Sequence, residues 1–80
     1  MIKSQSNHYN SSTVVASTYN YEHKTLMVHF SHASYLYEGV EEVDYNLFAT
    51  ATSQGKALNE FIKAKYTGVK VHEKEGVATN

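Results

Sequence analysis

Thr25-Leu26-Met27-Val28-His29-Phe30-Ser31 alternates without a break, with Leu26, Val28 and Phe30 on one side of an extended chain and Met27, His29 and Ser31 on the other. Successive side chains of a strand point to opposite faces, so this pattern predicts a half-buried strand with one face on a core. Upstream, the polar run from Asn20 to Lys24 suits a hairpin turn. Before it, Thr13 to Tyr21 is rich in the β-branched and aromatic residues that fit a pleated surface. Downstream, His32-Ala33-Ser34 makes a short turn into Ser34 to Val40, where Tyr35 and Tyr37 share a face by the two-residue period. These segments read as a three-stranded antiparallel meander.

From Glu41 the period changes. Val43, Leu47, Phe48 and Ala51 fall at helical spacing. Glu41, Glu42 and Asp44 place negative charge in the first turn, where the helix dipole favours it. Thr52 or Ser53 then caps a second helix, with Leu58, Phe61, Ile62 and Tyr66 as its buried stripe and Lys56, Asn59, Glu60 and Lys63 facing outward. Gly68 is expected to end that helix. Val69 to His72 alternates as a short strand that adds at a sheet edge. The expected class is α+β, an antiparallel meander of three to four strands covered by two short C-terminal helices. Residues 1 to 10 read as a polar lead-in, 11 to 66 as the domain, and 67 to 80 as an extension forming an edge strand or an oligomer contact.

The chain has 80 residues, enough for one domain. A domain of that size buries only about 60% of its unfolded surface, so association with further copies is expected to support it. It has no cysteine, and hence neither a disulfide framework nor a cysteine zinc site. No apolar run approaches the ~20 residues of a membrane helix, and the first ten residues do not resemble a signal peptide. A soluble, cytoplasmic protein is expected. The formal net charge is −1, and all 7 residues of the Lys and Arg count are lysine. The absence of arginine weighs against bidentate phosphate clamps and sequence-specific DNA reading.

Two constellations carry candidate chemistry. Ser53-Gln54-Gly55-Lys56 stands where a helix begins, so backbone N–H groups, a hydroxyl and an ammonium can converge on a phosphate. Asn59 lies one turn beyond Lys56 on the same face. The upstream glycine and following Ser/Thr of a P-loop are missing, and a capping serine, a turn glycine and a solvated lysine account for the same residues. The second constellation is aromatic. Seven tyrosines include Tyr19 and Tyr21 on one strand and Tyr35 and Tyr37 on another, a possible stacking platform for bases. Tyrosine also packs small cores with its hydroxyl at the rim.

The 5 histidines show no H-x-x-x-H pair, and no metal site or cofactor is expected. His29 with Glu38 or Asp44 is one of many pairings that a general base would need, against a plain surface role. Ser11 and Ser12 have no histidine or carboxylate at a telling spacing, so an enzyme is not expected.

Several of these positions together resemble one known pattern: Ser11, Ser12, Val14 and Tyr19; Leu26, Val28 and Phe30; Tyr35 and Tyr37; Ala51, Ser53, Gly55, Lys56 and Asn59; Ile62 and Tyr66. The chain resembles the KTSC family, a module of roughly sixty residues, an ordinary small-domain size, named for its place at the end of some lysyl-tRNA synthetases. The resemblance covers Ser11 to Tyr66, with two departures. A usual turn glycine is Ala33 in a loop one residue shorter, and a usual proline is Glu41. For the family, nucleic-acid binding has been proposed. A module of this kind standing alone also resembles small phage proteins that sequester host nucleotide signals or block a host protein.

Three functions are therefore expected to compete. The leading one is non-enzymatic binding of a small phosphorylated, nucleotide-type ligand, with Ser53, Gly55, Lys56 and Asn59 on phosphate and Tyr19, Tyr35 and Tyr37 stacking on the base. The second is an RNA or single-strand binder, opposed by near-neutral charge. The third is a protein–protein module with a tyrosine-rich interface.

Overall fold

The computed structural model describes residues 3 to 73, with side chains described to Val71. Strands β1 (Ser4–His8), β2 (Val14–Asn20), β3 (Thr25–Phe30), β4 (Ala33–Glu38) and β5 (Gly68–Glu73) form one antiparallel sheet in chain order. Between β4 and β5 run α1 (Glu42–Ala49) and α2 (Gln54–Ala57), and α2 continues as a π-helical stretch, Leu58–Lys63. This is the expected α+β class with five strands in place of three or four.

The additional strand is β1, within the stretch read as a polar lead-in. Its Ser-Gln-Ser-Asn-His sequence has no apolar alternation to betray it. It is held by backbone pairing to β2, with Gln5 opposite Tyr19 and Asn7 opposite Ser17. The strand expected at Val69 to His72 is present as β5 on the opposite edge, paired with β4. The remainder of the expected C-terminal extension, from Lys74 on, lies outside the described residues.

Directly opposed residues of paired strands share a face, so the register fixes the core. Tyr19, Leu26 and Tyr37 form one row, and Ser17, Val28 and Tyr35 the next. The helices cover this face. Val14, Leu26, Val28, Val40, Phe48 and Ile62 are fully buried there.

Helix α1 is rotated from the apolar stripe that its sequence suggests. Val43 and Leu47 are 62% and 44% exposed, while Asp44, Tyr45 and Phe48 face inward. Burial of the large aromatic surface of Tyr45, stacked on Tyr19 at a centroid distance of 4.4 Å, outweighs that of one valine and one leucine. The second helix follows expectation: Leu58 and Ile62 are buried, Phe61 and Tyr66 pack against the core, and Lys56, Asn59, Glu60 and Lys63 are exposed. Gly68 does not end that helix. It opens β5 directly opposite Tyr37.

The turns follow local chemistry. Asn20 Oδ1 accepts from the backbone N–H groups of Glu22 and His23 at 2.9 Å, which folds the first hairpin, and Lys24 completes it at φ 56°. Gly39 takes a positive φ of 72° ahead of the helices, a conformation that glycine adopts without a Cβ penalty. Ala33 needs no glycine, because among the described residues Lys24 and Gly39 are the ones with positive φ.

Candidate functional site

Tyrosine is abundant here because it builds the core. Tyr19 is 1% exposed, its ring face is covered by Tyr45 at 4.4 Å and its hydroxyl donates to the Val40 carbonyl at 2.6 Å. Tyr45 takes an amide hydrogen from Asn7, and Tyr9 hydrogen-bonds Ser17 at 2.8 Å while its ring meets Phe48 edge-on. Burial pushes the Tyr45 hydroxyl up to about 12, and it raises those of Tyr9, Tyr19 and Tyr37 as well. Tyr19 therefore does not belong to a stacking platform, since a ring already stacked inside the core offers no free face.

Tyr66 joins the two helices. Its hydroxyl donates to Asp44 Oδ2 at 2.6 Å and accepts from the Glu41 backbone N–H at 3.1 Å, while Lys65 Nζ reaches Asp44 Oδ1 at 3.0 Å. The Tyr66 hydrogen bond, followed by that of Lys65, holds the Asp44 carboxyl below its ordinary range. Asp44 therefore serves this joint and is not paired with His29. His29 lies across the sheet, with Nδ1 2.8 Å from Ser34 Oγ, and Glu38 is the register partner of Thr25.

The predicted phosphate group is a helix start in structural terms. Ser53 is the N-cap, and its Oγ accepts from the Lys56 backbone N–H at 3.4 Å. Gly55 packs on Thr13, whose side chain lies 3.6 Å from where a Cβ would stand. The serine-rich loop before β2 thus meets the Ser53-Gln54-Gly55-Lys56 turn, and Ser11 Oγ is itself engaged by the N–H groups of Thr13 and Val14. Lys56 and Asn59 are exposed on the far side.

The other two predicted tyrosines occupy different ground. Phe30, Tyr35, Tyr37 and Lys63 line an open cleft of about 250 Å³. Phe30 and Tyr35 meet edge to face at 5.7 Å, and both rings are half-buried. Tyr37 forms an inner wall at 2% exposure. Lys63, from the π-helical stretch, is exposed and has no hydrogen bond or ion pair among the described residues. The Ala64 N–H bonds the Asn59 carbonyl at 3.2 Å, the wide i to i−5 pattern that often marks functional positions in helices. The structure therefore brings Tyr35 and Tyr37 to Lys63 and not to Lys56. Sequence reasoning placed Phe30 in the core and Lys63 in solvent. The available signal was the two-residue period that sets Phe30 on the Leu26 and Val28 face of β3 and Tyr35 and Tyr37 on one face of β4, together with the one-turn step from Asn59 to Lys63.

The family model for the KTSC domain matches residues 10–66. The chain belongs to the KTSC family. A crystal structure of a KTSC domain protein from Yersinia pestis superposes with a TM-score of 0.77 at 28% identity, covering 85% of this chain and 97% of that one. No curated protein matches this chain.

Placed on this structure, the KTSC motif positions divide by task. The Y-x-Y pair, Tyr35 and Tyr37, lines the cleft, and the closing I-x-x-x-Y supplies a core residue, Ile62, and the joint, Tyr66. Glu41, in place of the usual KTSC proline, has a φ of −71° that proline would share, yet its N–H donates to Tyr66, a bond that proline lacks.

Proposed function

We propose that this KTSC protein is a non-enzymatic binder of a small nucleotide-type ligand, its base stacked on Phe30 and Tyr35 against an inner wall formed by Tyr37 and its phosphate met by Lys63. The observation that carries this reading is a cleft in which aromatic walls adjoin an ammonium that has no hydrogen bond or ion pair among the described residues. Base stacking on aromatic rings is worth about 1–3 kcal/mol and tolerates any base, and lysine acts as a point charge toward phosphate. At about 250 Å³ the cleft lies just below the usual range of ligand pockets, a size for one base rather than two. Lys56 and Asn59 lie on the same outward side, with Lys56 about 10 Å from Lys63 at helical rise, so they serve a ligand longer than a mononucleotide. A binder of this kind acts by stoichiometric capture, which suits sequestration of a nucleotide signal.

The test is an NMR titration with AMP, using adenosine and inorganic phosphate as controls. AMP is expected to shift the amides of Phe30, Tyr35, Tyr37 and Lys63. Lys63→Ala is expected to weaken AMP by roughly tenfold or more at unchanged thermal stability, while Lys56→Ala leaves it unchanged. AMP binding that is indifferent to Lys63 would sink the reading.

A second reading is favoured by the other face of the sheet. Thr18, Met27, Leu36 and Val69 form one row there, which no helix among the described residues covers; Val69 is 59% exposed. Such a row suits contact with another protein. An AMP-insensitive, concentration-dependent mass in solution would favour it.

A further inference from the structure

We infer that Gly68, two residues beyond the family match, is a specificity-determining residue that keeps the cleft open by giving the Tyr37 ring room to lie across β5. The inference rests on the proposed ligand cleft. Gly68 and Tyr37 are register partners on β5 and β4. A Cβ on Gly68 would stand 2.5 Å from Tyr37 Cε2, 2.6 Å from Cζ and 3.0 Å from the hydroxyl oxygen. No Cβ approaches a ring that closely, so the ring position seen here requires glycine at this point. The requirement is purely one of contact. Gly68 does not have a left-handed backbone, so an alanine there pays no conformational penalty of its own.

The direction in which a displaced ring moves follows from its surroundings. On the β3 side Tyr37 is flanked by Leu26, which is fully buried, and the ring itself is 2% exposed. Close-packed interior leaves no volume for the ring there. The space that remains beside it is the cleft, shared with Phe30, Tyr35 and Lys63. A methyl group on Gly68 therefore drives the ring into the ligand's place. The strand after the helices, outside the stretch that the family model matches, thereby sets the shape of a site whose walls lie inside it.

The experiment compares AMP binding by the whole chain and its Gly68→Ala variant in the same NMR titration. The variant is expected to keep the wild-type pattern of backbone amides away from β4 and β5 and to bind AMP at least tenfold more weakly. Wild-type affinity in a folded Gly68→Ala chain overturns the inference and leaves the cleft reading standing. If wild type binds no AMP, both fall. If Gly68→Ala does not fold, the double variant Gly68→Ala/Tyr37→Leu removes the clashing ring. That variant is expected to fold, which ties the loss to contact between a side chain at position 68 and the Tyr37 ring, and a double variant that still does not fold overturns the inference.

Discussion

Tyr19 and Tyr37 flank the same residue, Leu26, from β2 and β4, and both are almost wholly buried. Helix α1 lays Tyr45 flat on Tyr19 and sets Phe48 against Tyr9, so that half of the aromatic face is closed. Over Tyr37 the chain instead supplies a glycine beneath the ring and an exposed lysine beside it. The same residue type, on the same face of the same sheet, is thus core in both halves, and only in the second does it also form the inner wall of a cleft. The side chains that the helices and β5 bring to each tyrosine decide its role.

The largest expected effect tests that division. Phe48 is fully buried in the closed half, so Phe48→Ala should cost about 3–5 kcal/mol through lost burial and a residual cavity. A chain of 80 residues has roughly 4–12 kcal/mol in all, so this is a large fraction of it. In the cleft half, Tyr35→Ala removes a half-buried ring and one edge contact with Phe30, for about 1 kcal/mol. Urea unfolding of the two variants gives the contrast directly. Equal losses would mean that the cleft half is as tightly packed as the closed half, and the comparison would fail.

Much of the division was legible in the chain, and what was not has physical causes. The parity of Leu26, Val28 and Phe30 gave the core face, and Asn20 to Lys24 gave the turn. Strand β1 was invisible because Ser4–His8 pairs through its backbone and carries no apolar side chain. The rotation of α1 was hidden because a count of apolar positions weighs Val43 and Leu47 above Tyr45, although Tyr45 buries the larger surface and has Tyr19 to stack on. Ser53 was placed correctly as a cap, and Tyr35 and Tyr37 share a face as read. Pairing them with Lys63 required knowing which turn of the second helix passes over β4, and no local pattern encodes that. Gly68 looked like a helix stop because its partner, Tyr37, is distant in sequence.

A smaller effect sharpens the boundary between the halves, where Tyr66 ties α1 to the second helix. Tyr66→Phe removes the donor to Asp44 and the acceptor for the Glu41 N–H, and should cost about 1.5 kcal/mol without weakening AMP. The pH dependence has a definite sign. The Asp44 carboxyl is lower in the folded chain than in the unfolded one, so its contribution is present above about pH 4 and is lost as pH falls through the folded value. Stability measured from pH 6 to pH 2 should fall less steeply in Asp44→Asn. An unchanged slope would place the acid sensitivity elsewhere.

The smallest effect concerns the outer side of α1, and here the expected result is almost nothing. Leu47 is 44% exposed beside a Phe48 that is fully buried, so one step along the helix crosses from solvent to core. Leu47→Gln keeps helix propensity and removes apolar surface that water already reaches, so unfolding free energy should change by no more than about 0.5 kcal/mol. Dilution distinguishes the two ways this can go. A loss near 2 kcal/mol that appears at high protein concentration and vanishes at low would mean that Val43 and Leu47 pack against a second copy, extending the closed half outward past the helix. A small loss that ignores concentration confines it to the inner face, where Tyr45 and Phe48 meet the sheet.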